Sequence, residues 1–130
     1  MYKFGTRSMK NLSEAHPDLQ KLFHEVIKVY DCTVIEGHRP KDEQDRAYHA
    51  GKSKLKFPKS KHNQTPSLAV DVCPYPIDWA DSKRFYYFAG IVKGIASQLN
   101  IPVRLGADWD GDNSFKDQSF NDLPHFELRG

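Results

Sequence analysis

Apolar residues recur at helical spacing over two stretches of the chain. After Pro17 they fall at Leu19, Leu22, Phe23, Val26, Ile27 and Tyr30. Between about Asp81 and Leu99 they fall at Phe85, Phe88, Ala89, Val92, Ile95, Ala96 and Leu99. Each set makes one stripe of a helix packed on a core. Pro17 suits a first helical position, Asp18 complements the positive end of the helix dipole, and His16 is placed to cap it. Asn100 can end the second helix. A third, polar helix is predicted over "PKDEQDRAYHAG", with Gly51 placed to close it.

Short β-type runs lie between these helices. "CTVIEG" (Cys32 to Gly37), "LAVDVC" (Leu68 to Cys73), "PVRLG" (Pro102 to Gly106) and "HFELR" (His125 to Arg129) each read as a strand. Helices and strands do not alternate in a regular βαβ rhythm. The expected class is therefore α+β: a small, mostly antiparallel sheet packed against two or three helices. A long loop, Lys52 to Ser67, carries two prolines and five lysines, and the region from Ala107 to Pro124 reads as a second loop.

With 130 residues, residues 1–130 are expected to form one domain with no second module. A formal net charge of +2 is too small to argue for nucleic acid. The run "GKSKLKFPKSKHN" is the one basic cluster, either a solvated loop or a mild attraction to an anionic polymer. No apolar run approaches the roughly 20 residues of a membrane span, so no membrane insertion is expected. The N-terminus lacks the apolar core of a secretory signal, which predicts a chain kept in the cytoplasm unless another protein releases it. Cys32 and Cys73 both fall inside strands, where they read as small buried hydrophobes, and a monomer is expected.

The chemistry gathers around one oddity. Asp71 interrupts an otherwise apolar strand, and a buried carboxylate is costly without a partner. Alternation puts Asp71 on one face with Ala69 and Cys73, and puts His125 and Glu127 on one face of "HFELR". If those strands are neighbours, Asp71 and His125 converge, and His62, from the preceding loop, can join them. Two imidazoles and a carboxylate, with a fourth position left to water, is a frequent arrangement for catalytic zinc. The plainer alternative is that Asp71 hydrogen-bonds a neighbouring loop and the histidines are incidental. Of the other histidines, His24 and His49 sit on helices and His38 beside Arg39. The Asp-rich loop 108–117 is not an EF-hand, because its glycine is misplaced and no glutamate closes it. A looser cation site through Asp110, Asp112 or Asn113 stays open against an ordinary solvated loop.

Four segments, "EGHRPKDEQDRAYHAGKS", "SKHNQTPSLAVDV", "RLGADWDGD" and "DLPHFEL", occur in the order found in LAS zinc metallopeptidases. The chain resembles that group from about Val34 to Leu128. The group includes D-alanyl-D-alanine carboxypeptidases and the L-alanyl-D-glutamate endopeptidases of bacteriophage endolysins. The resemblance implies one zinc ion held by His62, Asp71 and His125, with Asp122, three residues before the last histidine, as general base. It places Arg39 at the oxyanion or at a substrate carboxylate. Gln44, Ser60 and Trp109 match positions expected to contact substrate, although Ser60 is equally a candidate loop cap. Glu127 is a candidate to orient a ligand histidine, or simply to form a salt bridge.

Two departures bear on the branch. The spacing from His62 to Asp71 is two residues longer than the commonest in the group, through the insertion "NQTPS", which resembles some phage members. The base is an aspartate where many carboxypeptidases carry glutamate, again resembling the endolysin branch. The resemblance thus implies a zinc peptidase that cuts the L-alanyl-D-glutamate bond of peptidoglycan stem peptides and lyses the cell, reaching the wall through membrane lesions made by another protein. Two alternatives are a D-alanyl-D-alanine carboxypeptidase of the same fold and a non-catalytic, zinc-containing wall-binding module.

Overall fold

The computed structural model describes residues 2–109, 111–112 and 122–129. Helix α2 (Pro17–Val26) begins at the expected proline, and the His16 ring accepts a hydrogen bond from the Asp18 amide, 3.0 Å, as its cap. Helix α4 (Ser82–Gln98) is capped by Asp81, which accepts from the Arg84 amide. Helix α3 (Lys41–His49) is the polar helix, and only Gln44 of it is buried.

A further helix, α1 (Thr6–Ser13), is outside the predicted set; it puts one apolar residue, Leu12, into the core beside the buried Ser8. It is held by polar bonds to strand β1 (Cys32–Glu36). The Ser8 hydroxyl accepts from the Val34 amide, and the Asn11 side chain donates to the Val34 carbonyl. β1 is an edge strand, so α1 satisfies backbone groups that would otherwise face open solvent.

The sheet has four strands in the order β1–β2–β4–β3, with β2 at Ala69–Pro74, β3 at Val103–Leu105 and β4 at His125–Leu128. All three pairings are antiparallel. One face meets the helices: Val34, Val70, Val72 and Phe126 join Leu19, Leu22, Phe23, Phe88 and Val92 in a single core. Phe126 packs edge-on against both Phe23 and Phe88. The alternation that sends Val70, Val72 and Phe126 into this core turns Asp71, His125 and Glu127 to the other face. Cys32 and Cys73 are free and buried, and burial pushes both thiols up to about 12.

Candidate active site

Three side chains meet on the face of the sheet opposite the hydrophobic core. In the β2–β4 register Asp71 stands directly opposite His125. His62 comes from a single 3-10 turn, Lys61–Asn63, whose cap is Ser60: its hydroxyl accepts from the His62 amide while Asn63 accepts from the Ser60 amide. Nε2 of His62 and Nδ1 of His125 lie 3.1 and 3.3 Å from the same oxygen of Asp71. All three residues are buried, and their ligand atoms lie within 4.8 Å of one another.

The far nitrogens of both rings are already committed. His62 Nδ1 sits 2.8 Å from the Gly37 carbonyl, which can only accept, so that nitrogen carries the proton. His125 Nε2 sits 2.8 Å from Glu127 in the same way. With a metal ion in place, Nε2 of His62 and Nδ1 of His125 would present lone pairs inward beside the Asp71 carboxylate. Ligand histidines in metal sites are usually oriented by such outer acceptors. The donor set therefore fits a metal ion.

Charges in the group reinforce each other. Burial alone would raise the Asp71 carboxyl, but His62 and His125 together hold it well below the usual carboxylate range. Burial would lower His125, yet its bonds to Asp71 and Glu127 push it up to about 9. Glu127 is lowered: burial opposes its charge, and His125 and then Lys61 more than offset that. Lys61 also donates to the Leu128 carbonyl and lies 3.4 Å from Glu127.

Asp122 stands on the rim, half-buried, 3.8 Å from His125 Nδ1. Its amide donates to the Gly106 carbonyl and its carbonyl accepts from the His125 amide. Burial and then the negative Asp71 raise its pKa, the direction that makes a carboxylate a better proton acceptor. Gly106 is required here, because a Cβ would overlap the Asp122 carbonyl oxygen. Gly37 is equally constrained: a Cβ there would overlap the Asn11 carbonyl, and its own carbonyl is the one that orients His62.

Arg39 lines the same cavity as Asp122. It bonds Glu36 and Gln44 and approaches Asp71 to 3.9 Å. Burial works against its charge, but Glu36 and Asp71 more than restore it. A bulge between Val34 and Glu36 shifts the register so that Glu36 pairs with Asp71, which places Glu36 beneath the guanidinium. Sequence reasoning passed over Glu36, although its position three residues before Arg39 was a usable signal.

The remaining expected residues divide. Trp109 faces the centre, its ring tilted against His125 at 5.1 Å, and it lines a cavity of about 370 Å³ with Ser60, His62, His125, Asp122 and Arg39. Gln44 does not reach that cavity. It is fully buried, accepts from Arg39 and Asn63, and donates to Ser53 and the Leu55 carbonyl. The insertion after His62 is tied in at both ends: Asn63 also donates to the Arg39 carbonyl, and Ser67 is buried against Glu14, His16 and Gly37. In the Asp-rich loop 108–117, Asp110 and Asn113 lie outside the described residues, and Asp112 is exposed.

Comparison with known proteins identifies the family. The chain is 33% identical over 123 residues to the L-alanyl-D-glutamate peptidase of Escherichia phage T5, covering 90% of this chain and 88% of that one. Its structure is similar to that of the L-Ala D-Glu endopeptidase ChiX of Serratia marcescens, with a TM-score of 0.77 and 27% identity over 98% of this chain and 91% of that chain. Residues 1–129 match the profile of one family throughout, and the chain belongs to that family, the phage L-alanyl-D-glutamate peptidases.

Proposed function

We propose that this protein is a zinc-dependent endolysin that hydrolyses the bond between L-alanine and D-glutamate in peptidoglycan stem peptides, working as a single catalytic domain. The carrying observation is the convergence of His62 Nε2 and His125 Nδ1 on one Asp71 oxygen, with Asp122 on the rim 3.8 Å away. Two imidazoles and one carboxylate, each tied to an outer partner, suit a catalytic zinc ion. A zinc ion held there supplies Lewis acidity that polarises a carbonyl and makes water acidic near neutral pH.

The chain's own groups do the rest. Asp122 accepts the proton of the attacking water and passes it to the amine of D-glutamate as the C–N bond breaks. Arg39 stays charged and faces the same space, where it stabilises negative charge developing on the scissile carbonyl oxygen. Glu127 and the Gly37 carbonyl keep the two imidazoles turned inward. Trp109 and Ser60 form the wall on which the stem peptide lies, and Gln44 serves by fixing Arg39 from below.

The substrate lies outside the membrane of the host. Among the described residues no helix is long and apolar enough to cross a membrane. In this reading the enzyme accumulates in the host cytoplasm as a monomer and meets the wall through lesions made by a separate protein.

Mass spectrometry of fragments released from purified peptidoglycan tests the proposal, with and without a chelator. The expected result is new D-glutamyl amino termini, lost on chelation and restored by zinc. Release of free D-alanine instead would assign the protein to the carboxypeptidases, and cleavage indifferent to chelation would remove the metal.

A further inference from the structure

The site opens in two directions. On one side lies the cavity of Trp109 and Ser60, walled by Lys52, Lys54, Lys59, Lys61 and Arg104. Lys52 and Lys59 make no ion pair among the described residues. On the other side runs a groove of about 660 Å³ that shares Arg39, Lys52 and Asp122 with the cavity and reaches Trp79 and Phe85. Its polar lining includes the carboxylates of Glu36 and Glu43.

Trp79 is the unusual element of that groove. The residue is 62% exposed, and its indole lies nearly parallel on the buried Phe85 ring, with centroids 5.4 Å apart. The turn that presents it is firmly braced. Arg84 donates to the carbonyls of Tyr75 and Pro76 and to the Tyr30 hydroxyl, and Asp78 accepts from the Ala80 amide. Leaving so large an aromatic face to water forgoes the gain of burying it. A rigid, exposed aromatic plane beside a reaction centre is a stacking platform.

We infer that the Trp79–Phe85 wall is a subsite for a sugar ring of the glycan strand, on the L-alanyl side of the cut bond. The inference rests on the proposed peptidoglycan reading and gives the substrate a direction. The two sides of that bond differ in chemistry. D-glutamate and the residues beyond it carry carboxylates, which suit the lysine-walled cavity. L-alanine is joined through a short acyl link to an N-acetylated sugar, whose uncharged C–H face suits an indole and whose hydroxyls suit carboxylate acceptors. One residue and that link separate the scissile carbonyl from the sugar, so a sugar platform must lie in a groove continuous with the reaction centre. The groove of Trp79 is continuous with it through Arg39 and Asp122.

The test compares two substrates within each variant: a muramyl stem peptide, and the same peptide with an acetyl group in place of the sugar. Trp79→Ala is expected to lower the ratio of kcat/KM on the first to that on the second about tenfold, and Trp79→Phe to restore most of it. A ratio within one protein is insensitive to how much of the variant folds. Calorimetry with N-acetylmuramyl-L-alanine gives a reading apart from turnover, with Kd expected to weaken about tenfold in Trp79→Ala. An unchanged ratio with unchanged Kd would overturn the subsite, as would a Trp79-dependent dimer in sedimentation, which assigns the indole to a second copy. If the parent cuts neither substrate at the L-alanyl-D-glutamate bond, the failure belongs to the activity reading and shows before any residue is changed.

Discussion

Asp71 and His125 face each other across the β2–β4 ladder, with Oδ1 and Nδ1 3.3 Å apart. Glu127 holds the other nitrogen of the same ring, so His125 bridges two carboxylates on one sheet face. In the metal-free protein this geometry favours the imidazolium, raised from 6.5 to about 9.

A pH dependence of known sign follows. A raised histidine contributes stability that is complete below its unfolded value and lost as pH climbs through about 9. Asp71 and Glu127, both lowered, contribute stability above their unfolded values of 3.8 and 4.5 and lose it as pH falls below them. Asp122 is raised, so its contribution has the opposite sign at the acid end. The metal-free protein is therefore expected to melt highest between about pH 5 and 6.5, and several degrees lower by pH 9. A metal ion must displace the His125 proton, so its affinity is expected to rise about tenfold per pH unit over the same range. Melting curves with zinc and with chelator should diverge as pH rises. An equal gap at pH 5.5 and pH 8.5 would show that His125 does not hold the displaced proton.

Asp122→Asn separates catalysis from metal binding. The Asp122 carboxylate stands 3.8 Å from His125 Nδ1, and the residue is anchored through its backbone, so removing its charge leaves the His62–Asp71–His125 set in place. The variant is expected to bind one zinc with nearly parental affinity and to lose about 10²–10⁴-fold in kcat. Metal content by atomic absorption and turnover on a stem peptide check both halves. A variant that keeps its zinc and turns over at the parental rate would take the proton transfer away from Asp122.

Much of this site was legible in the sequence because it follows from alternation. Val70, Val72 and Phe126 had to face the core, and that fixed the opposite direction for Asp71, His125 and Glu127. Adjacency was not legible, since nothing local states that β2 and β4 pair with Asp71 opposite His125. Helix α1 escaped notice for a different reason. It docks through Ser8 and Asn11 to the Val34 backbone, and hydropathy does not register hydrogen bonds. Gln44 shows the same blindness from the other side: the resemblance offered it as a group contacting substrate, whereas it is buried among four hydrogen-bonding partners.

That burial makes Gln44 a test of how Arg39 is held. Gln44→Ala leaves Arg39 Nη1 and Asn63 Nδ2 without the oxygen they share, and vacates the space between α3 and the Ser53–Leu55 segment. A loss of about 2–3 kcal/mol in unfolding free energy is expected from the unpaired buried groups. At temperatures where the variant remains folded, the proposed oxyanion role of Arg39 predicts that kcat falls about tenfold or more with zinc affinity unchanged. Urea unfolding and steady-state kinetics on the same sample decide the matter. Lost stability with a parental kcat would mean that Arg39 keeps its place without Gln44.

Gly106→Ala tests whether the rim carboxylate must be placed as closely as the structure places it. The Gly106 amide donates to the His125 carbonyl at 2.8 Å, and its carbonyl accepts from the Asp122 amide at 3.1 Å. A Cβ would overlap the Asp122 carbonyl oxygen and stand 2.9 Å from the His125 Cβ. All of these are backbone or first side-chain atoms, so neither neighbour can swing aside. The strand and the Asp122 turn must separate, which is expected to cost about 1–3 kcal/mol of stability. Displacing Asp122 by even about 1 Å is expected to lower kcat about 10²-fold. Gly90→Ala is the matched control, since a Cβ there meets nothing within 4 Å on helix α4 and should stabilise by about 0.4–1 kcal/mol. If Gly106→Ala behaved like Gly90→Ala in both melting and turnover, the close approach of Gly106 to Asp122 would have no bearing on the reaction.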